Sequence, residues 1–154
     1  MFDTVVLATD GSKSVERAVT VALDLAERFD AAVHALYIVD ETEIEAAPER
    51  VREDLETALH DQADDALEEI QARAEDVQTA VREGVPATEI CTYAEAVDAD
   101  LVATGTRGRH GAHSFLLGSV AEAVVRRSPV PVLTARQLEA DENGSMPDPA
   151  DLEA

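Results

Sequence analysis

Leu101-Val102-Ala103-Thr104-Gly105-Thr106-Arg107-Gly108-Arg109-His110-Gly111-Ala112-His113-Ser114-Phe115-Leu116-Leu117-Gly118-Ser119 joins an apolar strand, a glycine loop and a helix start in one stretch. Leu101 to Thr104 has the continuous apolar character of a strand covered on both faces. The glycines that follow allow positive φ and close approach of a ligand to the main chain. At the far end, the free N–H groups of a helix start near Ser119 and Val120 attract anions by hydrogen bonding and by the helix dipole. Arg107 and Arg109 add positive charge between the glycines. The stretch therefore reads as a phosphate-holding loop, against the simpler view that its glycines only shape a turn and a cap.

The same strand-then-helix alternation extends along the chain. Thr4 to Thr9 is an apolar run of strand length, broken by Asp10-Gly11-Ser12. Ser12 or Ser14 is placed to cap the next helix, where Val15, Ala18, Val19, Ala22, Leu25, Ala26 and Phe29 recur at helical spacing. Ala32 to Val39 is the second strand, ending at Asp40, and residues 42–47 read as a segment of lower order. Pro48 opens a long helix to about Asp76, with Val51, Leu55, Leu59, Ala63, Ala66 and Ile70 on one stripe. Eleven acids between Glu49 and Asp76 make the rest of it a solvated face.

Val77 to Val81 is a peripheral third strand, and Pro86 opens a helix with Ile90, Ala94 and Val97 inward. After the glycine loop, a helix from Ser119 to Arg127 stops at Ser128-Pro129, and Val130 to Ala135 is the fifth strand. Five strands alternating with helices predict one doubly wound, five-stranded parallel sheet with helices on both faces. Ligands of such sheets bind at the carboxyl ends of the strands, where the winding reverses. Asp10 and Gly105 meet in that crevice only when the first strand neighbours the fourth, which periodicity does not establish.

Composition limits the alternatives. The chain has 154 residues, 45% hydrophobic, which suits one domain with a sizeable core. No apolar run approaches the roughly 20 residues of a membrane span, and the N-terminus lacks the basic region of a signal peptide. Cys91 is the single cysteine, so an internal disulfide is ruled out and a cytoplasmic chain is expected. The net charge is −21, from 33 acids against 12 bases, of which only Lys13 is a lysine. Such a surface repels nucleic acid phosphates. It also suits a protein kept soluble at high salt, where screening removes self-repulsion, and a halophilic cytoplasm is the expected habitat.

Two residues separate Gly105 from Gly108, and nine separate Gly108 from Gly118-Ser119. This spacing is neither a Walker loop nor a G-x-G-x-x-G turn. It resembles the G-2x-G-9x-G-[S/T] nucleotide motif of the universal stress protein family. Thr9-Asp10-Gly11-Ser12, Tyr37-Ile38-Val39-Asp40 and Pro129-Val130-Pro131-Val132 are similar to the same family, and the resemblance covers residues 1–136. The acidic tail, residues 137–154, lies outside it and reads as disordered.

The resemblance implies a Rossmann-like fold with strand order 3-2-1-4-5, and ATP, or AMP or ADP, as ligand. A magnesium or manganese ion would accompany the phosphates. It implies nucleoside contacts from Ala8, Thr9, Asp10 and Ile38. Gly105, Arg107, Gly108 and Arg109 would surround the phosphates, and Gly118, Ser119 and Val120 would close the cradle. Asp10 also suits a plain turn former before Gly11. His110 and His113 lack a third metal-ligating partner at a convincing spacing, and His34 and His60 read as structural or exposed.

The implied role is a regulatory nucleotide binder. No nucleophile or base stands beside the glycine loop, and no P-loop lysine is present, so catalysis is limited to slow ATP hydrolysis assisted by Arg107 and Arg109. A dimeric stress module without nucleotide is the remaining alternative. Pro129 and Pro131 place the last strand at an edge, where Val130, Val132 and Leu133 leave apolar surface that a second copy would cover as a homodimer.

Overall fold

Thr4–Thr9 (β1), Ala32–Asp40 (β2), Val77–Gly84 (β3), Leu101–Gly105 (β4) and Val132–Ala135 (β5) form one parallel sheet in the order β3-β2-β1-β4-β5. The computed structural model describes residues 2–107 and 117–138. The adjacency on which the crevice depends is present. Val5 pairs with Leu101, Val6 with Val102 and Leu7 with Ala103. At the strand starts, Asp100 binds β1 twice over: its Oδ2 accepts from the amides of Asp3 and Thr4 at 2.8 and 3.0 Å, and its own amide donates to the Thr4 carbonyl.

The helices divide between the two faces as strand alternation dictates. Leu7, Tyr37 and Ala103 point to the face covered by Glu16–Phe29 (α1) and Glu49–Arg73 (α3). Val6, Ala8, Leu36 and Val102 point to Pro86–Ala96 (α4) and Ser119–Arg127 (α5). Each face holds a separate apolar cluster, so the sheet is buried on both sides and its central strands carry almost no polar residues. The turns after α1, before β3 and after α4 each pass through an aspartate in the left-handed region, at Asp30, Asp76 and Asp98. Glycine or asparagine commonly takes that place.

Four boundaries differ from the sequence reading. In place of the segment of lower order expected over residues 42–47, a short helix, Glu41–Ala46 (α2), forms. The Asp40 carboxylate caps it, accepting from the Thr42 amide at 2.9 Å, and Ile44 anchors it in the core. α3 ends at Arg73 instead of near Asp76 and turns only a half-length stripe inward: Leu59, Ala63, Ala66 and Ile70 are buried, whereas Val51 is exposed. β3 runs on through Arg82 and Glu83 because its backbone pairs with Ile38 and Val39 of β2 beyond the apolar segment. β5 begins at Val132 instead of Val130.

Candidate functional site

β1 and β4 are the two strands between which the winding reverses, and their carboxyl ends open the crevice. After Thr9, the chain turns sharply to start α1 through a short 3-10 turn, Lys13–Val15. The buried Thr9 hydroxyl accepts from the Gly11 amide at 3.0 Å. Gly11 has φ +75°, and a Cβ there would stand 3.2 Å from the Cβ of Ala66 on α3. Asp10 Oδ1 accepts from both the amide and the hydroxyl of Ser12, at 2.9 and 2.6 Å. Asp10 is therefore a turn former in fact, and it is also half-buried at the mouth of the crevice.

Gly105 ends β4 directly against this turn. A Cβ on it would meet the carbonyl oxygen of Ser14 at 3.0 Å and Cα of Val15 at 3.4 Å. The loop after β1 and the loop after β4 thus press together, and close backbone packing alone favours glycine at 105. Past Gly105, the Thr106 carbonyl accepts from the Gly118 amide at 2.6 Å. This bond brings the start of α5 to the end of β4. It also occupies the Gly118 N–H, so the amides of Ser119 and Val120 are those left to face an anion in the first helical turn. Gly118 is the N-cap in extended conformation, with no side chain capping the helix.

The remaining sequence-predicted residues fall as follows. Ala8 is buried and turned into the α4–α5 cluster, so only its backbone borders the crevice. Ile38 is half-buried over the same cluster, one step beyond Thr9↔Tyr37, the last β1–β2 pair. Arg107 is half-buried at the exit from β4. Gly108 and Arg109 lie outside the described residues, as do His110 and His113. β1, β2, β4 and α5 therefore bring Thr9, Asp10, Ile38, Gly105, Arg107, Ser119 and Val120 to one end of the sheet. The bond from Gly118 to Thr106 and the Ser14 carbonyl against Gly105 carried no signal in the sequence, because both join backbone to backbone.

At the other predicted surface, β5 is an edge strand, and Val130, Val132 and Leu133 are half-buried, packing partly on the two core clusters. The proline argument needs correcting. The Pro131 carbonyl accepts from the Val102 amide at 3.0 Å, so residue 131 turns its backbone polar groups to β4. By strand alternation, Val132 and Thr134 turn theirs to the open side. The missing N–H of Pro131 marks the start of pairing with β4, and leaves the donors of the outer edge in place.

The described titratable groups with shifted pKa lie elsewhere. Burial lowers that of His34 on β2, whose Nδ1 is 2.8 Å from the Tyr93 hydroxyl of α4. Burial raises that of the half-buried Cys91 thiol on α4, opposed by the charge of Arg127 and reinforced by Glu95, which disfavours the thiolate. An open depression of about 600 Å³ lined by residues 71–77 sits at the α3–β3 turn, at the opposite end of the strands. Among the described residues, no helix is long and apolar enough to cross a membrane.

Comparison with known proteins agrees with this architecture. The profile of the Universal stress protein family matches residues 1–136. The universal stress protein MJ0531 of Methanocaldococcus jannaschii is 37% identical over 142 residues, covering 89% of this chain and 84% of that protein. Among solved structures, the hypothetical protein MJ0577, the subject of a structure-based assignment of biochemical function, superposes with a TM-score of 0.79. It is 28% identical and covers 91% of this chain and 99% of its own. A universal stress protein in complex with cAMP superposes with a TM-score of 0.64 at 29% identity, covering 88% and 98%. The sheet order, the paired loops at its switch point and these matches have one reading: the chain belongs to the universal stress protein family.

Proposed function

We propose that this protein binds ATP, or AMP or ADP, at the β1–β4 switch point and acts as a regulatory homodimer. The observation that carries the reading is the convergence of Asp10, Arg107 and the uncapped start of α5 at one crevice. The amides of Ser119 and Val120 and the Arg107 guanidinium fit a phosphate chain, and the half-buried Ile38 fits an adenine ring. Support also comes from the relative that binds cAMP. Magnesium or manganese would be held by phosphate oxygens. Gly105 itself adds nothing to this argument, since close packing against Ser14 already accounts for a glycine there.

Residues 1–136 form the nucleotide-binding domain in this reading, and residues 137–154 an acidic appendage in a halophile's cytoplasm. Slow ATP hydrolysis is a second reading, favoured by Arg107 beside the crevice. Mass analysis of the nucleotide extracted from freshly purified protein tests the proposal. An adenine nucleotide at near-equimolar amount is expected; protein that is nucleotide-free and fails to take up added ATP would leave a ligand-free module.

A further inference from the structure

Glu56 and His60 stand one turn apart on α3, and Glu83 approaches them from β3. One donor atom from each, two carboxylate oxygens and an imidazole nitrogen, lies within 4.8 Å of the other two. Residues four apart share a helix face. Since the third donor comes from another element, the group differs from the run of solvated acids along the rest of α3. His60 Nε2 is 3.5 Å from Glu83 Oε2. That exceeds the roughly 2.7–3.2 Å of an N–H···O bond. It is close to the ~3.4 Å separation of two ligands bound at about 2.0–2.1 Å to a tetrahedral ion.

The only ion-pair contact of the group among the described residues is internal, between His60 and Glu83. Among the described residues, no arginine pairs with Glu56 or Glu83. Arg52, one turn before Glu56, donates instead to the carbonyls of Ala47 and Glu45, at 3.0 and 2.9 Å. Arg82, next to Glu83, points to the opposite face of the sheet, where it lies 5.2 Å from the centre of the Tyr93 ring. Two carboxylates and an imidazole without a cation form a donor set for a borderline divalent ion, since imidazole selects zinc-like metals over magnesium.

We propose that Glu56, His60 and Glu83 bind a zinc-type divalent cation, separate from the switch-point crevice, that clips α3 to the edge strand β3. Water completes the coordination, as the two glutamates are exposed and His60 is half-buried. The clip joins two elements that both contribute to one apolar cluster, α3 through Leu59 and Ala63 and β3 through Val77.

The test is a titration of zinc chloride into the full chain and into His60→Ala and Glu83→Gln, each checked for native circular dichroism. These surface positions leave the core intact. One zinc equivalent present in the parent should weaken at least tenfold in both variants. Zinc should also raise the melting temperature of the parent more than that of either variant. Magnesium chloride should reproduce neither effect. Unchanged zinc affinity in both variants, or an equal response to magnesium, would overturn the site and reduce the binding to counterions on an acidic surface.

Discussion

The Gly118 amide donates to the Thr106 carbonyl across 2.6 Å, and this single bond joins the end of β4 to the start of α5. Thr106 and Gly118 thus stand side by side, near the turn that Asp10 organises. A strand end, an acidic turn and a helix start are thereby set at one crevice before any ligand contributes.

Gly105 is expected to be the most structurally demanding position at this crevice. Its missing Cβ would stand 3.0 Å from the Ser14 carbonyl, a backbone atom that no side-chain rotation can move. Gly105→Val should destabilise the fold by about 1–3 kcal/mol, as overpacking of a filled site does. Urea denaturation measures it; a midpoint equal to the parent would mean that the loops after β1 and β4 are not pressed together.

Asp10 has a smaller and separable role. Losing the acceptor for the Ser12 amide and hydroxyl in Asp10→Ala should cost about 0.5–2 kcal/mol. Asp10→Asn keeps an oxygen in the same place and should recover most of that. If both variants melt like the parent, the turn does not depend on this carboxylate.

Much of this was legible in the sequence, and the failures have physical causes. Continuous apolar runs fixed the strands because a doubly covered sheet leaves them no polar face. α2 was missed because its one buried residue, Ile44, gives no periodicity, and its cap at Asp40 is the same kind of signal that marks a turn. The end of β3 was missed because Arg82 and Glu83 pair through backbone, on an edge strand that tolerates charge. The glycine spacing pointed to the crevice at the ends of β1 and β4, yet it could not separate Gly105, packed tightly on Ser14, from a glycine kept for phosphate.

The outer edge of β5 supports a prediction about assembly. Val132 and Thr134 turn their backbone groups away from β4, and the side chains of Val130 and Val132 are half-buried beside this edge. Antiparallel pairing with a second copy would cover this edge with two-fold symmetry. Val132→Arg should convert a dimer to a monomer by light scattering, and a dimer of unchanged mass would move the interface elsewhere.

The acid excess predicts salt dependence. Residues 1–135 carry 27 acids against 11 bases, a net of −16, and self-repulsion of that size destabilises the compact state in dilute buffer. Molar potassium chloride shortens the screening length to about 3 Å. The melting temperature should rise from dilute buffer to molar salt; equal midpoints would remove the case for a halophilic setting.

Calorimetric titration of ATP into the parent and into Gly108→Val tests the central claim most directly. Gly108 stands between Thr106 and Gly118 in the sequence, and in the proposed reading a branched side chain there would keep phosphates from the backbone. The parent should bind one ATP per chain, and the variant should give no binding heat while melting at the parent's temperature. ATP binding of equal affinity in the two proteins, or none in the parent, would contradict the nucleotide site.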